Sequence, residues 1–540
     1  MKDYEELILK HNVISFDIFD TLLIRPYINP DHLFLHMEKV FNCPSFIKAR
    51  HQASKKARKE ATKEDITIDD IYANMPEEML YLKEHEIDFE IKHLKQNKRV
   101  YEIYKFAREH NKKIVIISDM YLPEKALTQA LINNGYDKFD SFYLSGSVGL
   151  TKRSGNLFKY FLEKENINPN EVLHIGDHIK SDIQMAETHG IDTYQCYKNS
   201  DLFFEDSKNL KFKKLYEKNK DSLTLSVILS LLCQKYCENK DLLDNKDRYF
   251  KDFGYCIAGS VAYGFCDYIM QNISNNDEIL CIARDGYNIE KILKFLKPEL
   301  STHYVYAQRI FANKFNLNGN TSDNFEKNKD DYRRYLNNLG IDFNKNLVIC
   351  DSGASSFTAQ RIIEKVLDKK LTGIYSMVAK PENMQKYNVN CKTWAQNKNE
   401  IKYITSLIEF IFMAPEPPII DLIDNKPVYM ENVNAKELEL NKLSPIISDS
   451  MLEFVNDMKN SFAYPIHFEL KDIEEFIKCF ILNLTKLDKQ IFNNVYYSAN
   501  VENTKYLPLL RKIYKLSKHP KYYWGRIIFN FKIKMLKQYS

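Results

Sequence analysis

A chain of 540 residues is too long for one hydrophobic core, so two or three domains are expected. A composition that is 44% hydrophobic and 28% charged, with only 15 glycines and 16 prolines, fits a folded globular protein and excludes a disordered or low-complexity chain. A net charge of +4 over this length gives no case for a nucleic-acid binder, which concentrates basic charge in a strong stripe, and no such partner is expected.

The ten cysteines lie mostly in apolar segments. The closest pair, Cys233 and Cys237, has no second pair or histidine at zinc spacing, so free thiols in a reducing compartment are expected. The opening MKDYEELILK is charged and lacks a signal-peptide core. No apolar run reaches the length of about 20 residues that spans a bilayer. A cytoplasmic protein is expected.

In chain order, residues 13–16 (VISF) are a short apolar strand ending at Asp17. A second strand, 113–117, ends at Ser118. A third covers 141–144, and a fourth, 171–175, ends at Gly176-Asp177. Pro123 opens a helix in the first-turn position that suits proline, and Gly135 closes it. The helix after Asp177 runs to Gly190, and 191–196 is a further strand. Such alternation predicts a parallel sheet with helices on both faces, a Rossmann-like α/β fold.

An insertion between Arg25 and about Lys98 interrupts this pattern. It is charged, periodic and expected to be helical throughout, with Thr67-Ile68-Asp69-Asp70 as a helix start. A lysine-rich helical connector (201–249) leads to a second α/β domain (250–442). Its strands are predicted at 279–283, 303–307, 347–350 and 373–378, and residues 443–540 are expected to be helical.

In parallel sheets, reactive groups gather where strands end and loops converge. Asp17 begins DIFDTLL after VISF. Ser118 follows IVII in ISDMY, Lys152 lies in TKRSGNLF, and GDHIKSD brings Asp177 and Asp182 after VLHI. The order and spacing of these four motifs resemble the haloacid dehalogenase (HAD) superfamily over about residues 12–197, within a domain of residues 1–200. The helical insertion (about 25–98) is similar to that superfamily's type I cap.

The resemblance implies a role for each residue. Asp17 is the nucleophile that forms an aspartyl-phosphate. Mg2+ is held by Asp17, the Phe19 carbonyl and Asp177, with Asp182 as a further ligand or as support for a bound water. Ser118 bonds phosphoryl oxygens, and Lys152 neutralises nucleophile and phosphate. One departure stands out. Phosphatases of this superfamily carry an aspartate two residues after the nucleophile, where it protonates the leaving group; here that residue is Phe19. Asp20 is acidic, but the alternation of an extended segment turns its side chain elsewhere, and the general acid is lost unless Asp20 or a cap residue substitutes.

In the second domain, Arg284-Asp285-Gly286-Tyr287 ends one strand. Asp351-Ser352-Gly353-Ala354-Ser355-Ser356 ends another and opens a helix, and Arg309 follows a third. Free amides at such a loop suit an anion, as an alternative to ordinary structural turns. The loop is similar to that of phosphoribosyltransferases, but the acidic pair usual before their loop is missing. The whole arrangement resembles large predicted bacterial HAD hydrolases associated with capsule and surface-polysaccharide biosynthesis. Residues 521–537 mix basic and aromatic side chains and suit either peripheral contact with an anionic membrane or a docked terminal helix.

The expected function is an Mg2+-dependent phosphohydrolase or phosphotransferase acting on a small phosphorylated metabolite, a sugar phosphate or nucleotide-linked sugar. The alternatives are a phosphosugar-binding or scaffolding protein with a catalytically weak site, and a transferase whose chemistry lies in the second domain. The sequence leaves the substrate and oligomeric state open.

Overall fold

The computed structural model describes residues 3–238, 246–317, 324–395, 407–431, 433–498 and 506–511. The chain divides into two compact units, 1–242 with 458–466, and 243–457 with 467–540. The basic–aromatic stretch 521–537 lies outside the described residues. No described helix is long and apolar enough to cross a membrane.

In the first unit the strands, in chain order, are β1 (Val13–Phe16), β2 (Leu23–Ile24), β3 (Lys95–Gln96), β4 (Lys113–Ser118), β5 (Ser141–Leu144), β6 (Val172–Gly176) and β7 (Asp192–Gln195). Five of them form a fully parallel sheet of order β5-β4-β1-β6-β7. β1, β4 and β6 are almost wholly buried, as continuous apolar runs between two helical layers should be. Successive strands step outward from β1 in both directions. The carboxyl ends of β1, β4 and β6 therefore flank the switch point where such sheets bind ligands.

The cap is helical in the main, and Thr67 starts its helix Ile68–Tyr72 with a reciprocal capping box to Asp70. The expectation of helix throughout is corrected at one place. Lys95–Gln96 pairs antiparallel with Leu23–Ile24, so a two-residue ribbon joins the points where the chain leaves and re-enters the core. Two strand residues carry too little alternation to be visible in sequence. Inside the cap, Arg50 meets Glu86 through two parallel bonds of 2.8 and 2.7 Å, and the Tyr72 hydroxyl donates to the same carboxylate at 2.9 Å. Paired and fully bonded in this way, the buried charges are tolerated. Removing one partner typically costs about 3–5 kcal/mol.

The helices after β7 belong to the first unit as far as the chain is described there. In helix Leu223–Glu238, the Ser226 hydroxyl accepts the Ile28 amide at 2.9 Å. Segment 458–466 returns to this unit as well: the Pro465 carbonyl contacts His36 at 2.9 Å, and the Tyr464 ring stacks on Phe89.

The second unit holds another parallel sheet, of order β12-β11-β10-β8-β9. Its strands are β8 (Glu278–Ile282), β9 (Ser301–Val305), β10 (Leu347–Asp351), β11 (Thr372–Met377) and β12 (Asn390–Ala395). β12 goes beyond the four predicted strands; its mixed exposure is that of a sheet edge. A hairpin, β13 (Ile419–Ile423) and β14 (Lys426–Tyr429), turns at Asp424-Asn425, both at positive φ. The C-terminal region is helical in the main, as expected, with one addition. After helices such as Leu470–Leu482, β15 (Tyr496–Ser498) pairs with β16 (Tyr506–Pro508). Short aromatic segments such as YYS and YLP favour a pleated surface over helix.

Candidate active site

Each of the four motifs is positioned by the end of a buried strand. Asp17 follows β1, with its amide donating to the Ile175 carbonyl at 2.9 Å. Ser118 closes β4, and its hydroxyl donates to Asp17 Oδ1 at 3.0 Å. The Lys152 ammonium lies 2.5 Å from Asp17 Oδ1 and 2.6 Å from Asp182 Oδ1, with only 3% of its side chain exposed. The Asp119 carboxylate fixes the backbone of that lysine by accepting the Lys152 amide at 2.7 Å and the Arg153 amide at 3.3 Å.

Asp182 reaches this cluster because the turn after Asp177 is wide. Residues Ile179–Gln184 form a π-type turn before α-helix resumes at Met185, a departure from the expected uniform helix. The Asp182 amide donates to the His178 carbonyl at 2.8 Å, and its carboxylate accepts the His178 amide at 2.9 Å. Gly176 permits this approach, since a Cβ there would stand 2.5 Å from the Asp182 side chain. His178 itself is exposed and only caps the turn.

Asp17, Asp177 and Asp182 each offer an oxygen, and these oxygens lie within 4.8 Å of one another. Burial pushes the Asp17 carboxyl upward, with Lys152 pulling against it and Asp182 adding repulsion. Burial and then Asp17 push Asp177 up to about 7. Asp182 goes the other way: burial opposes its charge, but Lys152 and His174 hold it well below the usual range. Burial likewise works against the Lys152 ammonium, yet Asp17, Asp182 and Asp119 raise its pKa above the ordinary value. The site thus holds more carboxylate charge than its own cations offset. A hard divalent cation with oxygen preference, such as magnesium, fits that donor set.

Phe19 and Asp20 form the turn after the nucleophile, with Asp20 at positive φ and its amide donating to the Leu23 carbonyl at 2.8 Å. The Asp20 carboxylate turns to Lys198, 2.6 Å away, and the same ammonium stands 3.3 Å from Asp177 Oδ2. The Phe19 ring lies under the Arg25 guanidinium.

Several neighbours were not anticipated. The Thr21 hydroxyl donates to Asp177 Oδ1 at 3.3 Å; its place in DIFDTLL, four residues after Asp17, was a usable signal. His174 accompanies Asp182 with Nε2 at 3.8 Å, beyond hydrogen-bond reach, and bonds Ser15 at 2.8 Å. Lys198 follows the last strand with no local pattern to mark it.

In the second unit, Asp285 follows β8 and Asp351 closes β10, at that sheet's own switch point. The Ser352 hydroxyl donates to the Asp285 carboxylate. Burial raises both carboxyls; Glu409 adds repulsion at Asp285 and Asp285 adds it at Asp351, while Arg309 opposes at each. Arg284 pairs with Glu437 at 2.6 Å. Two of the amides expected to face an anion have protein partners: Ser352 donates to the Asp351 carboxylate at 2.7 Å, and Ala354 to the Met377 carbonyl at 3.0 Å. Gly353 packs near Met377.

Residues 11–190, a third of the chain, match the family described as haloacid dehalogenase-like hydrolase. No curated protein matches the chain. Among solved structures, a HAD-hydrolase from Bacillus subtilis bound to magnesium is 16% identical, covering 36% of this chain and 89% of its own, with a TM-score of 0.27. A HAD family enzyme from Bacteroides thetaiotaomicron, a magnesium complex, is 16% identical over 35% of this chain and 94% of its own, at 0.27. The L-2-haloacid dehalogenase of Xanthobacter autotrophicus is 15% identical over 34% and 77%, at 0.26.

Proposed function

We propose that the HAD-like hydrolase domain of residues 11–190 is a magnesium-dependent phosphohydrolase or phosphotransferase for a small phosphorylated metabolite, working through an aspartyl-phosphate on Asp17. The observation that carries this reading is Lys152, buried between Asp17 and Asp182 beside a third carboxylate, Asp177. Such an array holds a carboxylate nucleophile charged while collecting positive charge for an incoming phosphate. Carbon–halogen chemistry has no comparable use for three carboxylates at one point.

Asp17, Asp177, Asp182 and the Phe19 carbonyl would hold magnesium, which when bound neutralises the phosphoryl oxygens. Lys152 and the Ser118 hydroxyl fix the Asp17 carboxylate and offer donors to the transferring group. Thr21 orients Asp177, and Lys198 pairs with its other oxygen. The surface-polysaccharide setting implied by the resemblance places sugar phosphates first among substrates to try.

A binding protein with weak turnover is the second reading. It is favoured by Phe19, which cannot transfer a proton, and by the engagement of the Asp20 carboxylate with Lys198.

Asp17→Asn separates the two. It keeps size and hydrogen-bonding shape but removes the attacking charge. For an enzyme, turnover of a phosphorylated-sugar panel with magnesium falls by orders of magnitude, while affinity for phosphate ligands holds or improves as repulsion is relieved. Retained turnover in Asp17→Asn would sink the nucleophile assignment. A wild type that binds a phosphorylated ligand with magnesium but turns over none favours the binding protein.

A further inference from the structure

We propose that Arg25 is the specificity-determining residue of this site: its guanidinium receives an acidic group on the leaving-group side of the substrate. The preferred substrates are then phosphate esters that bear a second anion, a carboxylate or another phosphate, close to the ester oxygen. This deepens the functional reading above and rests on it.

From Val13 to Tyr27 every residue is buried except Phe19, Asp20 and Arg25, so these three form the open rim beside the nucleophile. The Arg25 guanidinium carbon lies 4.3 Å from the centre of the Phe19 ring. Phe19 is the residue two positions after Asp17, where the superfamily's phosphatases meet the leaving group with an acid. The guanidinium is therefore one ring's thickness from the place a leaving group must pass.

Its fixation is firm at one edge only. Nε donates to Glu90 Oε1 at 2.6 Å, and the Glu90 side chain is 3% exposed against 13% for Arg25. A guanidinium has five N–H donors. Among the described residues neither terminal amino group has a protein acceptor. A purely structural buried pair would satisfy both partners, because unpaired donors in low dielectric are costly. Here the charge is anchored by Glu90 and stacked on Phe19, while the amino groups suited to two parallel bonds with a carboxylate or phosphate stay unused. The surroundings favour an anion over a neutral group. Burial opposes the charge, but Glu90, then Asp20 and Tyr121, keep the guanidinium fully protonated.

A matched pair of probes tests this: 2-phosphoglycolate and ethyl phosphate, which differ by one carboxylate near the ester oxygen. Both are titrated calorimetrically into the Asp17→Asn protein with magnesium at fixed ionic strength, so that affinity is read without turnover. The expected result is at least about tenfold tighter binding of phosphoglycolate, a preference worth about 1.4 kcal/mol. Arg25→Met should erase that preference while changing ethyl phosphate affinity far less. Arg25→Lys should keep part of it, as a point charge without the planar fork.

Arg25→Met leaves Glu90 buried without its partner, so the double variant Arg25→Met/Glu90→Gln is measured alongside to preserve folding. Loss of the preference in either variant supports the assignment. An equal preference in parent and folded variants, or none in the parent, overturns it. Turnover of p-nitrophenyl phosphate by the unmodified protein, followed separately, reports on the phosphatase reading. Absent turnover with the selectivity intact would strike that reading and leave the role of Arg25 standing.

Discussion

Lys198 and Asp177 face each other at 3.3 Å across the edge of a carboxylate cluster, and the same ammonium reaches Asp20 at 2.6 Å. A cation contributed by the chain thus occupies ground that a metal ion would share. Lys198→Met should bind magnesium several-fold more tightly in calorimetric titrations, because the competing positive charge is gone. It should also melt earlier without magnesium, since Asp20 and Asp177 lose a counter-charge. Weaker magnesium binding in this variant would instead make Lys198 a support for the metal site.

Asp177→Asn removes one of the three oxygens gathered within 4.8 Å. Loss of a mere supporting partner lowers metal affinity by about 10- to 100-fold, so loss of a direct ligand should do at least as much. An unchanged magnesium titration would end the assignment of the fourth motif.

The acid–base side of the site predicts a dependence on leaving group. With Phe19 at the usual acid position and Asp20 held by Lys198, aryl phosphates should be turned over far faster than alkyl phosphates. The gap should approach the factor of about 10²–10⁴ that general acid catalysis supplies. Equal rates would show that another residue delivers the proton, and Asp20→Asn would then be the first variant to make.

Acid sensitivity should be traceable to Glu165. Its carboxylate accepts from Lys113, Ser141 and Tyr143, each at 2.6 Å. Burial alone would push it up, but these three donors bring it down to about 2. A folded-state pKa below the unfolded value contributes stability that is complete above the unfolded pKa and is lost as pH falls through the folded one. Glu165→Gln should therefore cost about 1–2 kcal/mol at pH 7, after allowing for solvent screening. The deficit should shrink as pH drops from about 5 toward 2. Urea unfolding at pH 7 and pH 3 measures it, and a pH-independent deficit would contradict the assigned ionic role.

The parallel sheets were legible because strands buried on both faces are written as apolar runs such as VISF and KIVIIS, each ending in a polar group. Asp17, Ser118, Lys152, Asp177 and Asp182 come together as spacing suggested, since strand ends in one parallel sheet share an edge. The residues that complete the site were not legible for the same reason turned around. Lys198 and Arg25 act across long stretches of chain, and nothing local marks a lysine that pairs with an aspartate 178 positions away. The β13–β14 hairpin did carry a mark, since Asp-Asn between two short strands supplies the two positive φ values of a tight turn. The wide turn that brings Asp182 under Gly176 has no such mark, because it depends on which carbonyl an amide selects.

The ribbon of Leu23–Ile24 with Lys95–Gln96 has an architectural consequence. The chain departs for the cap and returns from it at adjacent points, one antiparallel spacing of about 5 Å apart. The insertion is therefore topologically a pendant: a tight hairpin joining Ile24 to Lys95 could close the backbone without moving any strand of the five-stranded sheet. Lids of other sizes could be grafted at this waist, leaving the catalytic platform its register and exchanging only what covers it.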